Sequence, residues 1–176
     1  MNNIITTKRL TIRPIELEDV YEIHKYASDK GITMMMFLPN ESLEETLRFV
    51  EYAVNEWNKI EPDDREYVII FSETIIGGIN LGYSKDRKSC EIGLTIHKMY
   101  RNKGFSTEAA NALVEYAFNT LKVEKITTHC DSKKCCVRKC YEKTAYETRK
   151  RQRNTILSPN RGNFGRIFIF YQQTNI

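Results

Sequence analysis

An apolar run from Cys90 to Ile96, a basic glycine turn, a long amphipathic stretch and a β-rich run from Lys125 to Cys130 follow one another directly. Between Ser106 and Leu121 the residues Ala109, Ala110, Leu113, Val114, Ala117, Phe118 and Leu121 recur at helical spacing, which buries one helix face. A strand, a helix and a strand in this order favour a right-handed crossover with the strands parallel. The turn Tyr100-Arg101-Asn102-Lys103-Gly104-Phe105-Ser106-Thr107-Glu108-Ala109 then falls at the carboxyl end of the first strand, where open α/β sheets bind ligands. Backbone N–H groups around Lys103 to Ser106 would stand at the helix N-terminus, where unpaired donors and the positive end of the helix dipole favour a phosphate or pyrophosphate. Gly104 permits close backbone approach or a positive φ, and Arg101 and Lys103 add charge. The segment is not a Walker loop, since no Gly-Lys-Ser/Thr ending is present, and it lacks the three-glycine dinucleotide fingerprint. A basic glycine turn before a helix is also a common structural cap, so its context decides.

That context is a mixed α/β pattern. Lys8 to Pro14 reads as a first strand with Leu10 and Ile12 on one face, ahead of a helix from about Leu17 to Ser28. Ser42-Leu43-Glu44-Glu45 is a capping box, and Leu43, Leu47, Val50, Val54 and Trp57 continue as a helix ending near Lys59. Glu66 to Phe71 and Thr74 to Tyr83 read as strands joined by a tight turn, and Lys85 to Lys88 turns into Cys90 to Ile96. A further helix is expected over Lys133 to Thr144, then strands Tyr146 to Arg153 and Phe164 to Tyr171 around a turn from Ser158 to Asn163.

The 176 residues fit one domain, and no composition break divides them. No apolar run reaches the roughly 18 residues that span a bilayer, and the start lacks a signal-peptide core, so a cytoplasmic protein without a membrane partner is expected. A net charge of +4 favours acidic ligands mildly without demanding nucleic acid. The five cysteines, Cys90, Cys130, Cys135, Cys136 and Cys140, include no C-x-x-C pair and suggest reduced thiols, with neither zinc nor a disulfide framework.

Arg101-Asn102-Lys103-Gly104-Phe105-Ser106 resembles the Arg/Gln-x-x-Gly-x-Gly/Ala pyrophosphate loop of the GNAT superfamily of acyl-CoA-dependent N-acetyltransferases, with Ser106 in place of the last small residue. Glu91-Ile92-Gly93-Leu94, Thr107-Glu108-Ala109 and the opening Thr7-Lys8-Arg9-Leu10-Thr11-Ile12-Arg13-Pro14 are similar to the branch holding ribosomal-protein N-terminal acetyltransferases. Tyr141-Glu142-Lys143-Thr144-Ala145-Tyr146 resembles the family's Tyr-Glu-Lys-x-Gly-Phe, with Ala145 for Gly and Tyr146 for Phe. The resemblance covers almost the whole chain. It implies a mixed, mostly antiparallel sheet with one parallel β-α-β crossover and helices on both faces, built as a single domain over residues 1–176.

The same resemblance implies direct acetyl transfer from acetyl-CoA to a primary amine, without an acyl-enzyme or a metal. The pyrophosphate would meet Arg101, Asn102, Lys103, Gly104, Phe105 and Ser106, and pantetheine would meet the backbone of Leu94, Thr95 and Ile96. Lys134 stands where many relatives carry Asn and Val137 where they carry a small residue; Lys134 either meets the nucleotide end of CoA or is a solvated helix lysine. An aliphatic ammonium has a pKa of about 10.4 and an α-ammonium about 8, so a base must remove a proton. Glu91 is the candidate base acting through water, with a strand-edge carboxylate as the plain alternative. Tyr141 is the candidate acid for the departing thiolate, since a phenol near pKa 10 stays protonated while the thiol titrates near 8.5; its alternative is packing. Cys135, Cys136 and Cys140 lack a paired base, His24 and His97 read as surface or turn residues rather than catalysts, and His129 reads as a strand residue rather than a ligand.

The segment Gly31-Ile32-Thr33-Met34-Met35-Met36-Phe37-Leu38-Pro39 would line the acceptor site in such a fold, or face the core. The acceptor is expected to be a protein N-terminus or a small amine, and a homodimer is left open. Departures at Ser106, Lys134, Val137 and Ala145 keep an acyl-CoA sensor without turnover as the alternative. The basic run Arg149-Lys150-Arg151-Gln152-Arg153 reads as a solvated strand, and an RNA-binding role for it would require stacking aromatic partners and a larger positive field.

Overall fold

The computed structural model describes residues 3–29, 41–131, 148–158 and 162–172. The elements are β1 (Ile5–Thr6), β2 (Thr11–Pro14), a 3-10 turn (Leu17–Asp19), α1 (Val20–Ala27), α2 (Leu43–Trp57), β3 (Asp64–Phe71), β4 (Thr74–Tyr83) and β5 (Ser89–Ile96). A second 3-10 turn (Lys98–Tyr100), α3 (Phe105–Asn119), β6 (Lys125–Asp131), β7 (Thr148–Ser158) and β8 (Gly162–Gln172) complete the order. The strands form an 8-stranded sheet in the order β1-β2-β3-β4-β5-β6-β8-β7. Neighbouring strands are antiparallel except β5 and β6, which are parallel and joined through α3, as the crossover reading expects.

Helices cover both faces. On one, α3 buries Phe105, Ala109, Ala110, Leu113, Val114, Ala117 and Phe118 against Leu10, Ile12, Ile79, Leu81 and Ile92. Full burial of each large side chain contributes about 1.5–3 kcal/mol, so this face alone anchors the helix. On the other, α1 and α2 pack Ile23, Tyr26, Val50 and Ala53 over Val68. The expected capping box forms at α2: Ser42 Oγ accepts from Glu45 N at 3.1 Å, and Glu45 returns a carboxylate to Ser42 N at 3.3 Å.

Two local expectations change. The first strand starts at Thr11 rather than Lys8, because Thr7 and Leu10 close a turn with Thr7 N donating to Leu10 O at 2.9 Å and Leu10 N to Thr7 Oγ1 at 2.9 Å. That turn joins β2 to β1, too short for its alternation to be read. The helix expected from Leu17 opens as a 3-10 turn, where Asp19 accepts from Glu16 N at 2.8 Å and pairs with Arg13 at 2.7 Å. His24 is half-buried on α1, and its Nδ1 lies 2.7 Å from Oγ1 of the buried Thr46, tying α1 to α2.

A bulge in β4 decides which of its residues face each helical layer. Ile69 pairs with Gly77 but Ile70 with Ile75, so Ile76 is an extra residue. The alternation resets there, and Ile76, Ile79 and Leu81 join the α3 core while Gly78 faces Tyr26. A side chain at Gly77 would lie 2.2 Å from the Thr95 carbonyl, so β4 approaches β5 this closely only with glycine in place.

The final hairpin runs from Thr148 to Gln172, with pairing extended to Ser158↔Gly162, beyond the apolar stretch that marked it in sequence. The expected helix over 133–144, the methionine-bearing segment 31–39 and most of the last turn lie outside the described residues. Among those described, no helix is long and apolar enough to cross a membrane, and no group of three His, Cys, Asp or Glu could hold a metal.

Candidate active site

Strands β5 and β6 pair only at their beginnings. The register runs from Ser89↔Lys125 to Glu91↔Thr127, while β6 continues to Asp131 along β8. Two threonines bridge the parting: Thr127 Oγ1 donates to Cys90 O at 3.2 Å and Thr128 Oγ1 to Ile92 O at 2.9 Å. On the opposite edge, Gly93 N donates to Asn80 Oδ1 at 3.0 Å and His97 N to Ile76 O at 2.8 Å. Backbone groups alternate along a strand, so Cys90, Ile92, Leu94 and Ile96 address the β6 side, and Gly93, Thr95 and His97 address β4. The gap beyond Glu91 is therefore lined by the backbone of Leu94 and Ile96. Thr95 turns its backbone to β4 and its side chain to the α1 and α2 face.

At the mouth of this gap α3 begins. Asn102 and Gly104 adopt positive φ, 60° and 84°, which turns successive N–H groups toward one side. Gly104 is the N-cap and no side chain caps the helix, so the first-turn donors stand open. Lys103 and Gly104 are exposed, Arg101 and Ser106 half-buried, and Phe105 is buried in the core.

Arg9 props this turn, a role the sequence motif alone did not reveal. Its Nη1 donates to Lys103 O at 3.1 Å, its Nη2 pairs with Glu108 at 2.7 Å, and its guanidinium stacks 4.5 Å from the Phe105 ring. Glu108 sits in the first turn, where an unpaired carboxylate would compete with an anion. Partial burial works against its ionisation, but hydrogen bonds from Thr7 and Arg9 hold it below the usual range and occupy both oxygens. Arg101 Nε donates to Ile96 O at 3.2 Å, lacing the loop to the end of β5, and Lys103 lies 5.5 Å from the Tyr100 ring.

Behind β5, on the α1 and α2 face, is a cavity of about 300 Å³ lined by Tyr26, Phe49, Glu66, Gly78, Leu94 and Thr95 among others. Gly78 makes room there, since a side chain at that position would meet the Tyr26 hydroxyl at 2.9 Å. Glu66 is the carboxylate in this lining. It is half-buried, and desolvation, helped by the charge of Asp64, pushes its pKa up to about 8. Desolvation also raises the Tyr26 phenol, with Glu66 and Asp19 adding. Glu66 was absent from the sequence candidates because alternation along a strand does not disclose which face carries a cavity.

A raised carboxyl pKa weakens the fold where the group must ionise. Between the ordinary value of 4.5 and about 8 the folded chain holds a proton at Glu66 that the unfolded chain releases, so this contribution falls as pH rises across that window. Glu66→Gln should therefore match the wild type near pH 4 and exceed it above pH 8, by on the order of 2–4 kcal/mol. Urea unfolding at the two pH values checks this, and an equal offset at both would contradict it.

An open polar cleft of about 410 Å³ adjoins the cavity, sharing Asn80 and Gly93 with it and lined also by Asp64 and Glu91. Asp64, Gly82 and Glu91 form one row across β3, β4 and β5, and Glu66, Asn80 and Gly93 the next. Glu91 thus stands in the cleft, one row from the cavity. His97 Nδ1 accepts from Met99 N at 3.4 Å, the turn role expected of it. Cys90 is a buried free thiol that desolvation pushes up to about 12, which keeps it unreactive. Tyr141, Lys134, Cys135, Cys136 and Cys140 lie outside the described residues.

The sheet is thus parted after a short parallel pair, with an uncapped glycine-opened helix at the parting and a cavity behind it. The family described as acetyltransferase (GNAT) domain matches residues 9–146. The N-acetyltransferase YnaD of Bacillus subtilis (strain 168) is 32% identical over 129 residues, 72% of each chain. A GNAT-family acetyltransferase structure from Bacillus anthracis superposes with a TM-score of 0.82 at 22% identity, covering 96% of this chain and 98% of that one. The ribosomal L7/L12 α-N-protein acetyltransferase RimL, in complex with coenzyme A, gives 0.84 at 14% identity, covering 96% and 97%. The chain belongs to the GNAT acetyltransferase family and is an acetyl-CoA-dependent acetyltransferase.

Proposed function

We propose that the chain, as one acetyltransferase domain, moves acetyl from acetyl-CoA to a primary amine that occupies the cavity between α1, α2 and the sheet. The observation that carries this reading is the meeting of cavity and gap at β5, where Leu94 is part of the cavity lining and its backbone addresses the gap. The N–H groups from Lys103 to Ser106, with Asn102 and Arg101 shaping their turn, would hold the pyrophosphate. The backbone of Leu94 and Ile96 would pair with pantetheine, Leu94 N–H offering a hydrogen bond to the thioester oxygen as it gains charge, and Thr95 would bound the acceptor. Lys134 would meet the nucleotide end.

Transfer then needs three proton movements. One proton leaves the acceptor's ammonium, and Glu91 in the adjoining cleft relays it through water. The neutral nitrogen attacks the carbonyl carbon, the tetrahedral centre collapses with cleavage of the C–S bond as Tyr141 protonates the departing thiolate, and the second proton lost from the nitrogen returns to the Tyr141 phenolate to leave a neutral amide. The acceptor is a protein N-terminus or a small amine, with the likeness of fold to RimL supporting the first.

Release of free CoA across peptides, polyamines and aminoglycosides tests the reading and ranks the acceptors. Glu91→Gln should slow the best acceptor most below that amine's pKa and progressively less as pH rises, since alkali supplies what the side chain no longer does. No CoA release with any amine would support the sensor instead, and a uniform downward shift of the pH profile would make Glu91 a structural residue.

A further inference from the structure

We propose that Glu66 is a further catalytic residue, the group that takes the proton directly from the acceptor's ammonium inside the cavity. The inference rests on the reading that this cavity receives the acceptor amine.

Placement is the first argument. Glu66 lies in register with Asn80, and Asn80 with Gly93, so one row leads from the carboxylate to β5, whose Leu94 and Thr95 line the same cavity. At a strand spacing of about 4.8 Å, Glu66 is roughly 10 Å from the β5 backbone, room for an amine between carboxylate and thioester. The backbone beneath Glu66 is held from two sides: its carbonyl accepts from Ile15 N at 3.1 Å and from Trp57 Nε1 at 2.8 Å. The side chain is thus presented from a fixed support, as a proton acceptor must be.

The surroundings are the second argument. Tyr26 approaches from α1, Tyr67 lines the cavity beside Glu66, and Asp64 acts from the same strand, while Asp19 is committed to Arg13. The walls from α2, β4 and β5 are Phe49, Gly78, Ile79, Asn80, Gly93, Leu94 and Thr95, without a charge; Glu91 faces the neighbouring cleft. No described basic side chain lines the cavity to neutralise Glu66. Once Glu66 is ionised, above about pH 8, an ammonium entering the cavity would be its counter-charge.

Once paired, the two ions share a poorly solvated space, which favours neutral forms over charged ones. An N–H bond of the ammonium breaks and an O–H bond forms on Glu66, leaving a neutral amine and a neutral carboxyl with no electron transferred. A carboxyl raised to about 8 stands much closer to an aliphatic ammonium at about 10.4 than an ordinary glutamate does, so less free energy separates the two sides of the transfer. The proton then leaves through the waist at Asn80 and Gly93 into the polar cleft, where Asp64 and Glu91 stand.

The test is a series of primary amines with pKa values from about 6 to about 10.4, assayed by CoA release near pH 9, where Glu66 has lost its proton and the strongest bases keep theirs, with wild type, Glu66→Gln and Glu91→Gln. In Glu66→Gln the loss in kcat/KM should grow with amine pKa, from under about 5-fold for the weakest base to about 10²–10³-fold for the strongest. Glu66→Ala should regain part of its rate with added formate, a rescue that a merely structural role would not show. A loss equal for every amine, no loss, or no rescue by formate in a folded variant would overturn the assignment while leaving the acceptor reading intact. A wild type inactive toward all the amines would overturn both.

Discussion

Gly104→Val should lower the affinity for coenzyme A by up to about 10²-fold in a chain that still folds. Gly104 sits at φ 84°, a conformation that a β-branched residue adopts at a cost of about 1–3 kcal/mol, which corresponds to about 5- to 150-fold in an equilibrium constant. A side chain there also meets Arg9 Nη2 at 3.3 Å, and that guanidinium is already engaged with Lys103 O, Glu108 and the Phe105 ring. The turn would relax toward negative φ and swing its N–H groups away from a bound pyrophosphate. Calorimetric titration with CoA, alongside a thermal melt to verify folding, measures the effect. Unchanged affinity in a folded variant would remove the pyrophosphate from this turn.

Tyr141→Phe should reduce kcat by about 10²–10⁴-fold with little change in CoA affinity, because it deletes a proton donor and keeps the ring. Loss of the acid should be felt most where C–S cleavage limits turnover, so single-turnover measurements are the appropriate readout. Equal rates for the two proteins, with chemistry shown to limit, would return Tyr141 to packing.

The crossover and the glycine turn at the start of α3 were legible because their signals are local. A strand, a turn with Gly104 and an apolar face at helical spacing sit within one continuous stretch, and α3 starts at Phe105, beside the expected Ser106. The capping box at Ser42 and Glu45 was equally readable. The tight turn between β3 and β4 was expected in place, yet Ser72 and Glu73 take positive φ there without glycine or asparagine, so the pairing of two long strands overrides the residues' own preference. Arg9 and Glu66 illustrate the opposite case. Arg9 supports a turn almost a hundred positions away, and only the docking of α3 against the β1 and β2 turn brings it to Lys103 and Glu108.

By itself the sequence determined the alternation of strands and helices, the parallel crossover and the position of the glycine turn that opens α3, because periodicity and turn chemistry act over a few residues. Tertiary structure alone decided where β5 leaves β6, which backbone groups face the gap, and that Glu66 stands in a cavity. Those depend on the extra residue at Ile76, on the close approach that Gly77 permits and on the packing of α1 over Gly78. Each is a contact between segments distant in the chain, and the desolvation that raises Glu66 exists only once those segments have closed around it.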